Sequence, residues 1–337
     1  MKGNTYLFLL LMMIITSCFK EEEAIPPFDR GKRQSATIAM GNDYRNQIYF
    51  DLHKGSDLST NHKLDYDLAF ESSEKGYRIL LNTSTFMQIA PTGKTMFEDV
   101  TSQSGLDFNF DPSSGNLDST AVGNWFSING SDTIFSRQVY VIDRGYDHLG
   151  RPLGFKKIVF EDLKAGFYHI RFANLDGSEE VQARISKEKS YNFVYYSFDP
   201  EKNYQLLEPK QDQFTLLFTQ YTTLLFTNAG DPYPYLVTGV LLNRYNTAVA
   251  FNNTMTFEEV DLESIENMEF TTRIDRIGYN WKDLSGDVES GNVLYEVRSD
   301  YNYIIRDHQG FYYKMRFVGF YNQAGDRGYP EIEFQKL

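Results

Sequence analysis

Cysteine, tryptophan and positive charge are the scarce things in this chain of 337 residues, and each scarcity excludes something. The one cysteine, Cys18, cannot form an internal disulfide, so the fold has to rest on an apolar core. With 33 Lys and Arg against 46 Asp and Glu, the net charge of −13 argues against a nucleic-acid partner, which needs clustered cations along the phosphate backbone. The five histidines, at 53, 62, 148, 169 and 308, show none of the spacings of a zinc site, and no metal site is expected. There is no G-x-S-x-G elbow, no glycine loop that would cradle a phosphate, and no spare thiol nucleophile. No catalytic residue is expected, and the chain does not read as an enzyme.

What is abundant is aromatic. Phe, Tyr and Trp make up 16% of the residues, and such side chains fit the half-buried surface of a sheet. Strands are expected over 47–52, 66–70 and 77–82, then over 137–142, 155–160 and 167–172, with loops at Glu74-Lys75-Gly76 and around 111–116. The second half retraces the first. Asn192 to Phe198 answers the opening strand, 214–218 and 222–226 answer the next two, and Phe257-Glu258-Glu259-Val260 answers Phe97-Glu98-Asp99-Val100. Trp281 answers Trp125, Asp307-His308-Gln309-Gly310 answers Asp147-His148-Leu149-Gly150, and the stretch from Gly328 to Phe334 answers that from Gly166 to Phe172. The displacement grows from about 146 to about 162 residues, as loop insertions on a fixed scaffold would make it.

The expected fold class is therefore all-β: two tandem, mutually packed antiparallel units related by internal duplication, 36–187 and 188–337. The polar junction Ser186-Lys187-Glu188-Lys189 lacks Gly and Pro, which points to close packing of the units. The run 235–242 reads as a strand buried on both faces at the middle of the assembly.

Residues 1–17 read as a signal peptide: Lys2, then an apolar run from Leu7 to Ile15 too short to span a bilayer stably. Ile15-Thr16-Ser17-Cys18 resembles a bacterial lipobox, which implies cleavage before Cys18 and lipid attachment there. Two or more acyl chains anchor stably where one does not. The run Lys20-Glu21-Glu22-Glu23 resembles the export signal of surface-exposed lipoproteins, and 18–35 would be the lipidated N-terminus and linker. The expected place is the outer membrane, on its outer face.

Several stretches in order resemble the HmuY family of Bacteroidetes surface lipoproteins. They are Tyr49-Phe50 and Tyr195-Tyr196 on the opening strands, Asp67-Leu68-Ala69-Phe70, the Trp281 turn, Tyr303 to Arg306, the Gly310 to Lys314 return, and Gly328-Tyr329-Pro330. The resemblance implies an all-β protein that binds haem between two loop side chains, His or Met, and hands it to a TonB-dependent outer-membrane receptor. Carried over, one ligand position falls on Gly286 in the second unit and Gly130 in the first, where there is no side chain to give. The other falls close to Met255, and near Met96 in the first unit, and a thioether is a soft axial ligand. Met255 is thus the one haem-ligand candidate, and the cofactor stays open between haem and none.

Other residues carry two readings. His148 and His308 sit in matching Asp-His-x-Gly turns, where Asp opens the turn, Gly takes positive φ and His stands exposed. Glu98-Asp99 and Glu258-Glu259 lack calcium-loop spacing and read as strand carboxylates on solvated edges. Tyr279, Trp281 and Tyr301 would either stack on a sugar or porphyrin or pack the sheets. The expected function is binding of haem or another scarce nutrient for a TonB-dependent receptor. The alternative is a glycan- or protein-binding adhesion module that binds no haem.

Overall fold

The computed structural model of the protein describes residues 31–287 and 292–337; Cys18 and the segments before residue 31 lie outside them. The described residues are nearly all β, with three short 3-10 turns beside antiparallel sheets. Among them no helix is long and apolar enough to cross a membrane.

The strand Arg327–Lys336 illustrates why. Gly328, Pro330, Ile332 and Phe334 are buried, while Tyr329, Glu331, Glu333 and Gln335 between them are half-buried. A period of two sends one set into the core and leaves the other on the outer face. Burying Ile332 and Phe334 contributes roughly 1.5–3 kcal/mol each.

Two five-stranded sheets share one strand order. The first runs Val181–Ser186, Phe167–Ala173, Phe155–Lys164, Val139–Asp143, Gln88–Pro91. The second runs Gln34–Thr37, Arg327–Lys336, Tyr312–Tyr321, Asn302–Arg306, Ala248–Asn252. In the second sheet the edge place taken by Val181–Ser186 in the first is filled by Gln34–Thr37, with Gln34 opposite Phe334. Each five-stranded sheet faces a four-stranded one. Tyr204–Gln205, Phe193–Tyr196, Leu68–Glu71 and Ile79–Leu81 cover the first, enclosing Phe70, Trp125, Phe160, Tyr168 and Phe172. Pro232–Leu242, Leu216–Phe226, Asn46–Asp51 and Ser56–His62 cover the second, enclosing Phe50, Phe218, Trp281, Phe317 and Phe334.

Pairing runs across the 187/188 junction in both directions. Phe193–Tyr196 pairs with Leu68–Glu71, and Asn46–Asp51 pairs with Leu216–Phe226. The junction itself is pinned: Lys187 Nζ donates to Ser73 O at 2.9 Å and also to Gly76 O, and Glu188 N donates to Ser72 Oγ.

Three local expectations need correction. The stretches 214–218 and 222–226 are not two strands but lie along one, Leu216–Phe226, because Thr219 to Tyr221 keep its ladder with Pro232–Leu242 unbroken. Its partner is an edge strand, exposed from Pro232 to Tyr235, rather than a strand buried on both faces. Phe97–Asp99 forms a 3-10 turn, so Glu98 and Asp99 are not strand neighbours; Glu98 pairs with Arg171 and Glu258 with Arg33.

Candidate functional site

Trp125 and Trp281 are not stacking platforms on the surface: each is 1% exposed. Trp281 stacks on Phe317 with ring centroids 3.9 Å apart and planes within 9°. Lys282 lies over the Trp281 ring at 4.0 Å and donates to Thr238 O at 2.8 Å, and burial pushes its ammonium down to about 7. This part of the chain is core.

The two Asp-His-x-Gly turns are built alike. Asp147 Oδ1 accepts from Leu149 N at 2.8 Å and Arg151 N at 2.9 Å; Asp307 Oδ1 accepts from Gln309 N at 2.9 Å and Phe311 N at 2.8 Å. Those backbone bonds, the one from Arg151 first, hold the Asp147 carboxyl down at about 2. The histidines are less exposed than the turn motif suggests. The His148 side chain is only 16% exposed. Tyr146 N donates to Thr85 O at 2.7 Å, and a Cβ on Gly145 would stand 1.9 Å from that same oxygen. Only glycine permits that approach.

Turned inward, His148 forms part of the wall of a cleft of about 640 Å³, inside the range of about 300–1,000 Å³ usual for small-molecule sites. Tyr44, Phe86, Tyr146 and Tyr235 supply aromatic surface, and Lys63 and Arg327 supply cations. Tyr44 and Phe86 both have positive φ, at 55° and 66°. His148 meets His62 edge to face at 5.1 Å, and its Nε2 lies 3.9 Å from Asp43 Oδ2. Its Nδ1 is buried without a hydrogen-bond partner. His62 is lowered by burial and then by the nearby His148, while its Nδ1 accepts from Leu64 N at 3.1 Å. Asp43 is lowered by Arg45, whose Nε donates to both its oxygens at 2.9 and 2.8 Å. Lys63 Nζ donates to Gln220 Oε1 at 2.7 Å, and burial brings it down to about 8. Chemically this is a place for a flat apolar molecule that carries acidic groups.

The residues to which the family resemblance points lie elsewhere. Met255 is half-buried beside Val260 and Ile265, its N donating to Asn252 Oδ1 at 2.9 Å and its O accepting from Asn302 Nδ2 at 2.7 Å. Met96 is 62% exposed. Gly286 lies in the strand Lys282–Asp287, and Gly130 lies at the tip of the hairpin made by Phe126–Asn129 and Asp132–Phe135. None of these four lines the cleft. The cleft draws on segments from residue 42 to residue 327, so no local motif marks it. The one readable hint is Gly145, three residues before His148.

A second feature lies where the two halves meet. Tyr49, Tyr66, Tyr195, Asp111, Glu208 and Arg244 line a cavity of about 120 Å³, room for about four waters. Glu208 accepts from Phe193 N at 2.8 Å and Tyr195 OH at 3.0 Å, yet burial pushes it up to about 7. Burial also raises Asp111 to about 6 and lowers Arg244, which donates to Gly115 O.

The chain is similar to apo PinO from Porphyromonas gingivitis, at 11% identity over 92% of this chain and 98% of that one, with a TM-score of 0.28. It is also similar to the apo HmuY analog TFO from Tannerella forsythia, at 10% identity over 91% and 97%, with a TM-score of 0.25. No curated protein matches it. Residues 43–334 match the family described as HmuY protein, and with that match spanning most of its length the chain belongs to the HmuY family.

Proposed function

We propose that this protein captures haem in the 640 Å³ cleft and gives it up to a TonB-dependent receptor, while lipid on Cys18 holds it at the outer face of the outer membrane. Membership of the HmuY family supports a haem-related role. The observation that carries the reading to this cleft is the meeting of the His148 imidazole with four aromatic side chains and two cations in one lining. Haem supplies an iron centre that accepts a neutral imidazole. Tyr44, Phe86, Tyr146 and Tyr235 would cover the ring faces, and Lys63 and Arg327 would take the propionates. The low titration of His62 keeps that neighbour neutral near pH 7, so it adds no competing charge. Met255 is the second candidate ligand, in a separate setting among apolar side chains.

Titration of the protein without residues 1–18 with haemin, followed at the Soret band, tests this. A spectral shift is expected, with affinity at least about tenfold weaker in His148→Ala and unchanged in Met255→Ala. No shift in the parent sinks haem capture; loss in Met255→Ala alone moves the ligand to Met255 and ends the claim for the cleft. Protease treatment of intact cells tests the placement, and a fully protected protein would refute the outward-facing anchor.

A further inference from the structure

A second cleft, of about 840 Å³, shares no lining residue with the one that holds His148. Its rim is the stretch 271–280, stitched to strands at both ends. Thr271 N donates to Val249 O at 3.0 Å, and Gly278 N donates to Val240 O at 3.0 Å. Gly278 turns the corner at φ +61°, where a Cβ would stand 2.7 Å from Asp275 O. The rim is thus set before any ligand arrives, which lowers the cost of binding.

Its charges are sorted in a telling way. Arg273 donates from Nε and Nη2 to the two oxygens of Asp275, both at 3.1 Å, and Ser113 Oγ donates to Asp275 Oδ2 at 2.6 Å. That pair is closed. Arg276 has no ion-pair partner among the described residues; its guanidinium is held 5.2 Å over the Phe251 ring, which fixes its plane without using its N–H fork. Glu269 lines the same cleft and likewise has no cation partner there. Tyr279, Phe270 and Asn280 line the same cleft.

We propose that this cleft binds acidic saccharides, sugars that carry a carboxylate. A carboxylate matches the free fork of Arg276 two bonds at a time. Neighbouring sugar hydroxyls donate to a lone carboxylate such as Glu269, which can accept several bonds. The C–H face of a pyranose ring lies flat on Tyr279 or Phe270. A simple anion would use Arg276 alone and be repelled by Glu269, and a neutral sugar would leave Arg276 idle. An acidic sugar uses all of them. The inference stands apart from haem capture.

The test is calorimetric titration of the protein with trigalacturonate and with its methyl ester, the same skeleton without charge. The acid is expected to bind about tenfold or more tighter than the ester, the worth of one charged bidentate contact. Arg276→Gln should abolish that preference, Arg276→Lys should keep part of it, and Tyr279→Ala should weaken acid and ester alike. His148→Ala should bind the sugar as the parent does, which separates this site from the other cleft. No binding of the acid at millimolar concentration, equal affinity for acid and ester, or an undiminished preference in Arg276→Gln would each overturn the proposal.

Discussion

The two halves bury a tryptophan at matching places and to the same depth, yet hold it differently. Trp125 Nε1 donates to Tyr77 O at 3.0 Å, with Phe126 and Phe135 packed around the ring. Trp281 Nε1 is buried without an acceptor, and its ring is fixed by the stack on Phe317 and by Lys282. Elsewhere the match extends to the bonds. Lys157 Nζ donates to Val100 O at 3.0 Å over the Phe97 ring, and Lys314 Nζ donates to Val260 O at 2.9 Å over the Phe257 ring. A repeated sequence therefore predicts where a side chain is buried more reliably than what it bonds. We propose that the halves arose by duplication, and that their differences mark where each was free to change.

The largest effect should come from removing residues 31–62. The second half would lose three strands and the buried Ile38, Met40, Ile48, Phe50 and Leu52. At roughly 1.5–3 kcal/mol per side chain this matches the whole of a typical stability of about 5–15 kcal/mol. The first half keeps its enclosed core, so Trp281 fluorescence should lose its cooperative unfolding transition while Trp125 retains one. A shared, intact transition for both would mean that the halves are one cooperative unit.

Next in size is the tryptophan pair. Trp125→Phe leaves the Tyr77 carbonyl without its donor and is expected to cost roughly 2–4 kcal/mol in urea unfolding. Trp281→Phe breaks no hydrogen bond and should cost about 1–2 kcal/mol. Equal costs would erase the contrast between them.

The cavity between the halves offers a pH handle. Glu208 is raised from 4.5 to about 7, so its penalty is absent below about pH 4.5, grows as pH rises and is complete above about pH 7. Glu208→Gln should therefore stabilise the protein at pH 8, by on the order of 2 kcal/mol, and change little at pH 4.5. Thermal unfolding at the two pH values decides it; a gain only at the acid end would contradict the assignment.

The smallest effect on stability concerns the exposed end of the arm formed by Leu216–Phe226 and Pro232–Leu242. Val240 N and Leu242 N donate away from the paired strand, to Gly278 O and Ile274 O, so by alternation Pro232 and Pro234 face the open edge. Proline there removes the donors that would invite another strand. Pro234→Val should change stability by less than about 1 kcal/mol while promoting self-association, seen by light scattering. The arm has no such counterpart in the first half, where Ile79–Leu81 is short.

The all-β class was legible because the aromatic, β-branched strands announce themselves. Ser56–His62 and Val181–Ser186 were not, being edge strands whose polar residues face water as readily as loop residues do. The turn chemistry of Asp147 and Asp307 could be read from four residues each. The place of His148 in the cleft could not, because the cleft gathers residues from 42 to 327. The family resemblance points to Met255, and a resemblance carries no information about which side chains the sheets of this chain bring to the cleft.

The pairing of Gln34–Thr37 with Arg327–Lys336 has a consequence for how the protein is made. The strand that leaves the ribosome among the first must wait for one that leaves among the last. Until then the hairpin of Asn46–Asp51 and Ser56–His62 carries Ile48 and Phe50 without the sheet that covers them. Such distant pairing slows folding and lengthens the time that apolar edges stand open. This sheet therefore closes only when Arg327–Lys336 is available, whatever has formed before it.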